Sequence, residues 1–183
     1  MNHPDPQQSF TATLYVENKP VVLAHKALRK KMDDPETPEN LRDLYKRKLE
    51  IGSINNMLTY EEGVAPETFF FQYDDGIYII KILDSNGEFA NTVSMEGELR
   101  NWTVYDGDNP TYFRIRKVAG AVEIPEYTSN ENRTVALFSG PQLRPVLKYG
   151  DAPYIKIFTD QDSRGSDRAA FELRNIILST STR

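Results

Sequence analysis

The residues best equipped for chemistry sit in one loop. Asp160-Gln161-Asp162-Ser163-Arg164-Gly165-Ser166-Asp167 sets carboxylates at positions 1 and 3 and a glycine at position 6, an order in which hard oxygen ligands can wrap calcium. The pattern then departs from that chemistry. Arg164 holds position 5, where an oxygen is wanted, and Phe171 holds position 12, where a bidentate glutamate belongs, with Glu172 one residue late. Two readings follow: an ordinary acidic loop, and a metal-dependent hydrolase built on Asp160, Asp162 and Asp167. A second acidic cluster, Asp106-Gly107-Asp108-Asn109, is turn chemistry first, because Asp-Gly and Asn-Pro favour tight turns.

The common catalytic signatures lack their residues. The chain has no cysteine, which removes disulfides, thiolate metal sites and cysteine nucleophiles together. His3 and His25 are its only histidines, too few for a multi-histidine metal site and poorly placed for a triad. His25 stands beside Lys26, Arg29 and Lys30, the company of a solvated helix face. Neither a phosphate loop, a dinucleotide fingerprint, HExxH nor GxSxG is present. A carboxylate pair of the glycosidase kind could be nominated from the 27 acidic residues at will, so it has no specificity. No cofactor is expected.

What remains is recognition. Tyr112, Arg114 and Arg116 alternate along one stretch, with Thr103 and Tyr105 before the intervening loop, and aromatics interleaved with arginines can anchor an interface or stack bases. The plain alternative is the solvated face of a sheet. Lys26 to Lys31 (KALRKK) and Lys46-Arg47-Lys48 form two further basic runs, most simply read as helix surface. The net charge of −5 argues against non-specific nucleic-acid binding.

These residues must be held by a scaffold. Residues 1–9, rich in Pro, Asn and Gln, read as a flexible arm, and Phe10 to Val16 as a strand. Pro20 suits a first helical turn, so Val21 to Met32 is expected to be helical, with a short strand through Val21 to Ala24 competing. Asp33 to Pro38 breaks the chain. Thr37-Pro38-Glu39 then starts an amphipathic helix at about 38–58, along which Leu41, Leu44, Ile51 and Leu58 recur with Tyr45, Leu49 and Ile54 beside them.

All aromatics except Phe10, Tyr15, Tyr45 and Tyr60 lie beyond residue 66, where the pattern turns to β. With Asp75-Gly76 as a two-residue turn, Phe69, Phe71 and Tyr73 share a face with Tyr78, Ile80 and Ile82. With Asn86-Gly87 as another, that inner face continues through Phe89, Asn91, Val93 and Met95. Pairing Tyr105 with Tyr112 across Asp106 to Thr111 places Trp102, Val104, Phe113 and Ile115 together, with Arg114 and Arg116 opposite. Further strands are expected at Ala121 to Ile124, Arg133 to Phe138 and Tyr154 to Thr159, and Phe171 to Ser179 competes with a helix capped at Ser166-Asp167.

The fold expected is therefore α+β: an arm at 1–9, an N-terminal strand and long amphipathic helix over 10–62, and an antiparallel β-meander of about 7–8 strands, barrel or sandwich, over 63–183. The leading functional reading is a non-catalytic protein–protein interaction or assembly subunit that binds a protein partner or its own copy through Tyr105, Tyr112, Arg114 and Arg116. Its alternative is a small-molecule or sugar-binding barrel in which Trp102 and the aromatics of 69–82 line a cavity. Residues 1–9 show no signal peptide and no apolar run suffices to cross a bilayer, so a cytoplasmic chain without membrane insertion is expected. Asn101-Trp102-Thr103 and Asn132-Arg133-Thr134 match a glycosylation acceptor by chance on that view.

Overall fold

Alternating apolar side chains make Phe10–Val16 the strand β1, whose Phe10, Ala12, Leu14 and Val16 point to the interior. A computed structural model of the chain describes residues 9–117, 120–121, 133–150, 155–163 and 167–179. After a tight turn at Glu17 and Asn18, both at positive φ, the chain returns as β2 (Lys19–Leu23) and only then turns helical as α1 (Ala24–Asp33). Both expectations for this stretch are half realised, because Pro20 has no N–H to give yet tolerates a two-residue pairing with Tyr15.

The helix expected at 38–58 is shorter. α2 spans Glu39–Ile51 and stops at Gly52, whose φ of 78° caps it in the left-handed region. Its packed face is Leu41, Tyr45 and Leu49 against Ala24 and Leu28 of α1, while Ile51 lies 75% exposed. Leu58 belongs to the next strand. The remaining strands are β3 (Leu58–Tyr60), β4 (Thr68–Asp74), β5 (Ile77–Leu83), β6 (Phe89–Glu96), β7 (Asn101–Tyr105), β8 (Phe113–Lys117), β9 (Gly120–Ala121), β10 (Arg133–Ser139), β11 (Arg144–Pro145), β12 (Leu147–Tyr149), β13 (Ile157–Thr159), β14 (Asp167–Arg168) and β15 (Phe171–Leu178).

The protein is thus mainly β, with fifteen short antiparallel strands and two short helices among the described residues, in place of a long helix followed by a 7–8-strand meander. Sequential pairing fails because the chain's ends meet: β1 pairs β15 along one edge, and β4 then β2 along the other. β5 likewise pairs β4 on one edge and both β6 and β8 on the other. The pairings close a circuit β1-β4-β5-β8-β10-β15, and a second circuit β1-β2-β3-β13-β7-β6-β5-β4 shares three of its strands. Closure leaves few open edges. Residues 171–178 are strand, which decides between the two readings of that segment. The arm at 1–8, residues 122–124, Asn132 and Tyr154, and Arg164 to Ser166 lie outside the described residues.

One core fills both circuits. Trp102 stands at its centre with ring centroids of Phe69, Phe113, Phe158 and Phe171 at 6.1, 5.7, 5.8 and 5.8 Å. All five side chains are completely buried. Burying one such ring stabilises the fold by roughly 1.5–3 kcal/mol.

Candidate binding surfaces

The turn at Asp75-Gly76 forms as its sequence demands. Asp74 pairs Ile77, and positive φ at both central residues gives the primed turn that matches strand twist. The next turn differs. Asp84 accepts from the backbone N–H groups of Asn86 and Glu88 through Oδ1, Gly87 N donates to the Asp84 carbonyl, and Asp84 N donates to the Glu88 carbonyl. The loop is therefore Ser85-Asn86-Gly87, a type I turn closed by a left-handed glycine at φ 79°. Leu83 consequently pairs Phe89, and an irregularity at Ala90 restores the register by Ile82 and Asn91. Phe89, expected inside, is turned out and is 60% exposed.

Phe89 lies on an outward surface that crosses six strands. Ile177, Thr11, Phe70, Lys81, Thr92 and Tyr105 are directly opposed in turn, so their side chains share one face. At a spacing of about 4.8 Å per strand the row is about 24 Å wide. The Phe89 ring stacks obliquely on Phe70 at 5.0 Å, with the Lys81 ammonium 4.9 Å from its centroid. It divides two shallow cavities. One of about 400 Å³ is lined by Phe70, Gln72, Tyr73 and Lys81 together with Ser9 and Ser179; the other, of about 250 Å³, by Ala90, Thr92, Tyr105 and Asp106. A third, of about 440 Å³, is walled by Leu23, Pro66, Ile82 and Asn91 and contains buried Glu67, which accepts from Lys26 Nζ at 2.6 Å.

The four residues expected to bind together are not on one hairpin. β7 pairs β6 and β13, whereas β8 pairs β10, β5 and β9, so Tyr105 does not oppose Tyr112. The reason is local. Thr111 N donates to Ser94 Oγ at 2.7 Å and Met95 N donates to Thr111 Oγ1 at 3.2 Å, tying the chain to β6 and carrying it away from β7. Tyr105 therefore joins the Phe89 surface, where Gly107 packs so close to its ring that a Cβ there would clash with Tyr105 Oη. Arg114 and Arg116 lie on the outward face of β8. Tyr112, half-buried, precedes that strand and accepts from Gly140 N through its carbonyl.

The acidic loop has a different use. Asp160 is buried and receives both forks of Arg100, Nε to Oδ1 at 3.0 Å and a terminal nitrogen to Oδ2 at 2.6 Å, plus Ser139 Oγ at 2.6 Å. Arg100 also donates to the Met95 carbonyl at 2.9 Å, and its pKa is raised chiefly by the bond to Asp160. Asp162 is exposed and Asp167 lies on β14 opposite Lys148, so the structure does not gather the three aspartates. No group of three metal-ligating side chains occurs among the described residues. Trp102 lines none of these three cavities and packs with its neighbours in the core.

His25 Nδ1 is buried without a hydrogen-bond partner, and burial, then Arg29 and Lys26, hold its imidazole below the ordinary value. Asn101 is buried too, accepting from Tyr149 Oη at 2.6 Å.

Among the described residues, then, the fold is a closed antiparallel β-body with packed interior and side-chain surfaces on its outside, and no helix there is long and apolar enough to cross a membrane. No protein-family model, curated protein or solved structure matches the chain.

Proposed function

We propose that this chain is a non-catalytic interaction and assembly subunit, and that the partner on the Phe89 surface is a second copy of itself. The observation that carries the reading is the outward Phe89, held on Phe70 by a turn that flips it out of the core. A phenylalanine left 60% in water, on the same face as Ile177 at 65%, is apolar area that association would cover. The six-strand row carries a single charge, Lys81, and that ammonium is already turned onto the Phe89 ring. A face without net repulsion can stack on its own two-fold copy, which is the commonest symmetry of soluble oligomers.

Light scattering across a concentration series tests it. The expected result is a concentration-dependent dimer that reverts to monomer in Phe89→Ser with Ile177→Ser, at an unchanged melting temperature. A monomer at every concentration, or a dimer indifferent to both substitutions, overturns the reading.

A further inference from the structure

On β8 and β10 the outward side chains make a surface of another kind. Arg114 is directly opposed to Phe138, and Arg116 follows two residues on along the same face. The Arg116 guanidinium lies over the Phe138 ring at 5.5 Å from its centroid, and Arg168 of β14 lies over it at 5.7 Å. Arg114 donates to the Gly76 carbonyl at 3.3 Å. Among the described residues no carboxylate lies within ion-pair distance of these three arginines, although other cations, Lys26, Lys31, Arg100, Lys148 and Arg174, each have one. In a chain of net charge −5, gathering guanidiniums around one ring without counter-charge is an electrostatic cost that the ring's quadrupole only partly offsets.

We infer that Arg114, Arg116 and Arg168, arranged around Phe138, form a docking site for a carboxylate-rich peptide segment of a protein partner. Guanidinium forks match carboxylates bidentately, and two of them here are pre-oriented by the ring, so less side-chain freedom is lost on binding. Such a segment lies across the face rather than extending the sheet, because β8 already pairs β10 on one edge and β5 and β9 on the other. Single-stranded nucleic acid fits less well. It needs an open aromatic face for stacking, and Phe138 is half-buried beneath two guanidiniums. This site is independent of the Phe89 surface and of self-association.

Fluorescence anisotropy with a labelled short polyglutamate peptide tests the site, with polylysine and an oligothymidylate of equal length as comparison probes. Polyglutamate is expected to bind in a salt-sensitive way, with affinity falling about tenfold for each of Arg116→Glu and Arg168→Glu. Arg116→Lys should retain part of the binding. Phe138→Leu, which leaves every charge in place but removes the ring that orients them, should weaken it severalfold, and melting curves of each variant verify the fold. Polyglutamate binding no tighter than polylysine, or unmoved by these substitutions, overturns the proposal. Oligothymidylate binding that exceeds polyglutamate and depends on the same arginines overturns it in favour of nucleic acid.

Discussion

Phe70 and Phe71 are neighbours in the chain with opposite fates. Phe71 is completely buried, stacked on Phe10 with centroids 4.6 Å apart, whereas Phe70 faces outward beneath Phe89. Both are equally apolar, so composition cannot separate them; the two-residue period of the strand does. The lesson is that this chain invests aromatic area twice, once in a core that closure of the barrel requires and once on a surface that closure does not require.

Five substitutions and one titration break or sharpen that contrast. Phe71→Ala should have the largest effect, destabilising by about 4 kcal/mol in urea unfolding through lost burial and a residual cavity, while Phe70→Ala should cost under about 1 kcal/mol. Equal effects would remove the distinction between the two faces. Arg100→Ala comes next, at about 3 kcal/mol, because among the described residues it leaves buried Asp160 with only Ser139 to satisfy it. The Arg100 side chain is 32% exposed, so its charge is already partly solvated, which places the value at the low end for a buried pair. Were Asp160 instead a ligand in a metal site, added calcium would raise the melting temperature of the native chain.

Gly87→Ala should cost about 1 kcal/mol, since φ 79° is unfavourable to a side chain although nothing crowds that position. Phe89→Ser should change stability by under about 0.5 kcal/mol yet abolish the concentration-dependent mass. The smallest effect concerns His25. Its folded pKa is depressed below 6.5, so as pH falls the unfolded chain takes up the proton first and stability declines from about pH 6.5 until the folded pKa is passed. Melting temperatures between about pH 7.5 and 5.5 should fall less steeply in His25→Asn than in the native chain.

Much of the local structure was legible in the residues. Asp75-Gly76 specified its turn and the inward set Phe69, Phe71, Tyr73, Tyr78, Ile80 and Ile82, all of which are buried except Tyr73, which is half-buried against the core. Thr37-Pro38-Glu39 marked the start of α2 within a residue. The helix's end was legible as well, in Gly52, but the apolar stripe running on to Leu58 outweighed it. Asn86-Gly87 taken as the whole turn misplaces Phe89. The signal that corrects it, Asp84 placed to accept two backbone N–H groups before a left-handed glycine, was present in Asp84-Ser85-Asn86-Gly87.

The candidate surfaces were less legible because they depend on strands distant in sequence. Arg114 and Arg116 stood out as an alternating pair, but Phe138 and Arg168, which orient or extend them, come from β10 and β14. A hairpin through Asp106 to Thr111 would group Tyr105 with them, but Tyr105 pairs Thr92 and belongs to the other surface.

The sequence by itself determined the turns, the alternation within each strand and the poverty of histidine and cysteine, because these are properties of neighbours within a few residues. Only the tertiary structure decided that β1 meets β15 and β8 meets β10, that Asp160 serves Arg100, and which outward residues gather into surfaces. Such pairings are chosen by burying one common core around Trp102, a condition on the whole chain that no single segment expresses.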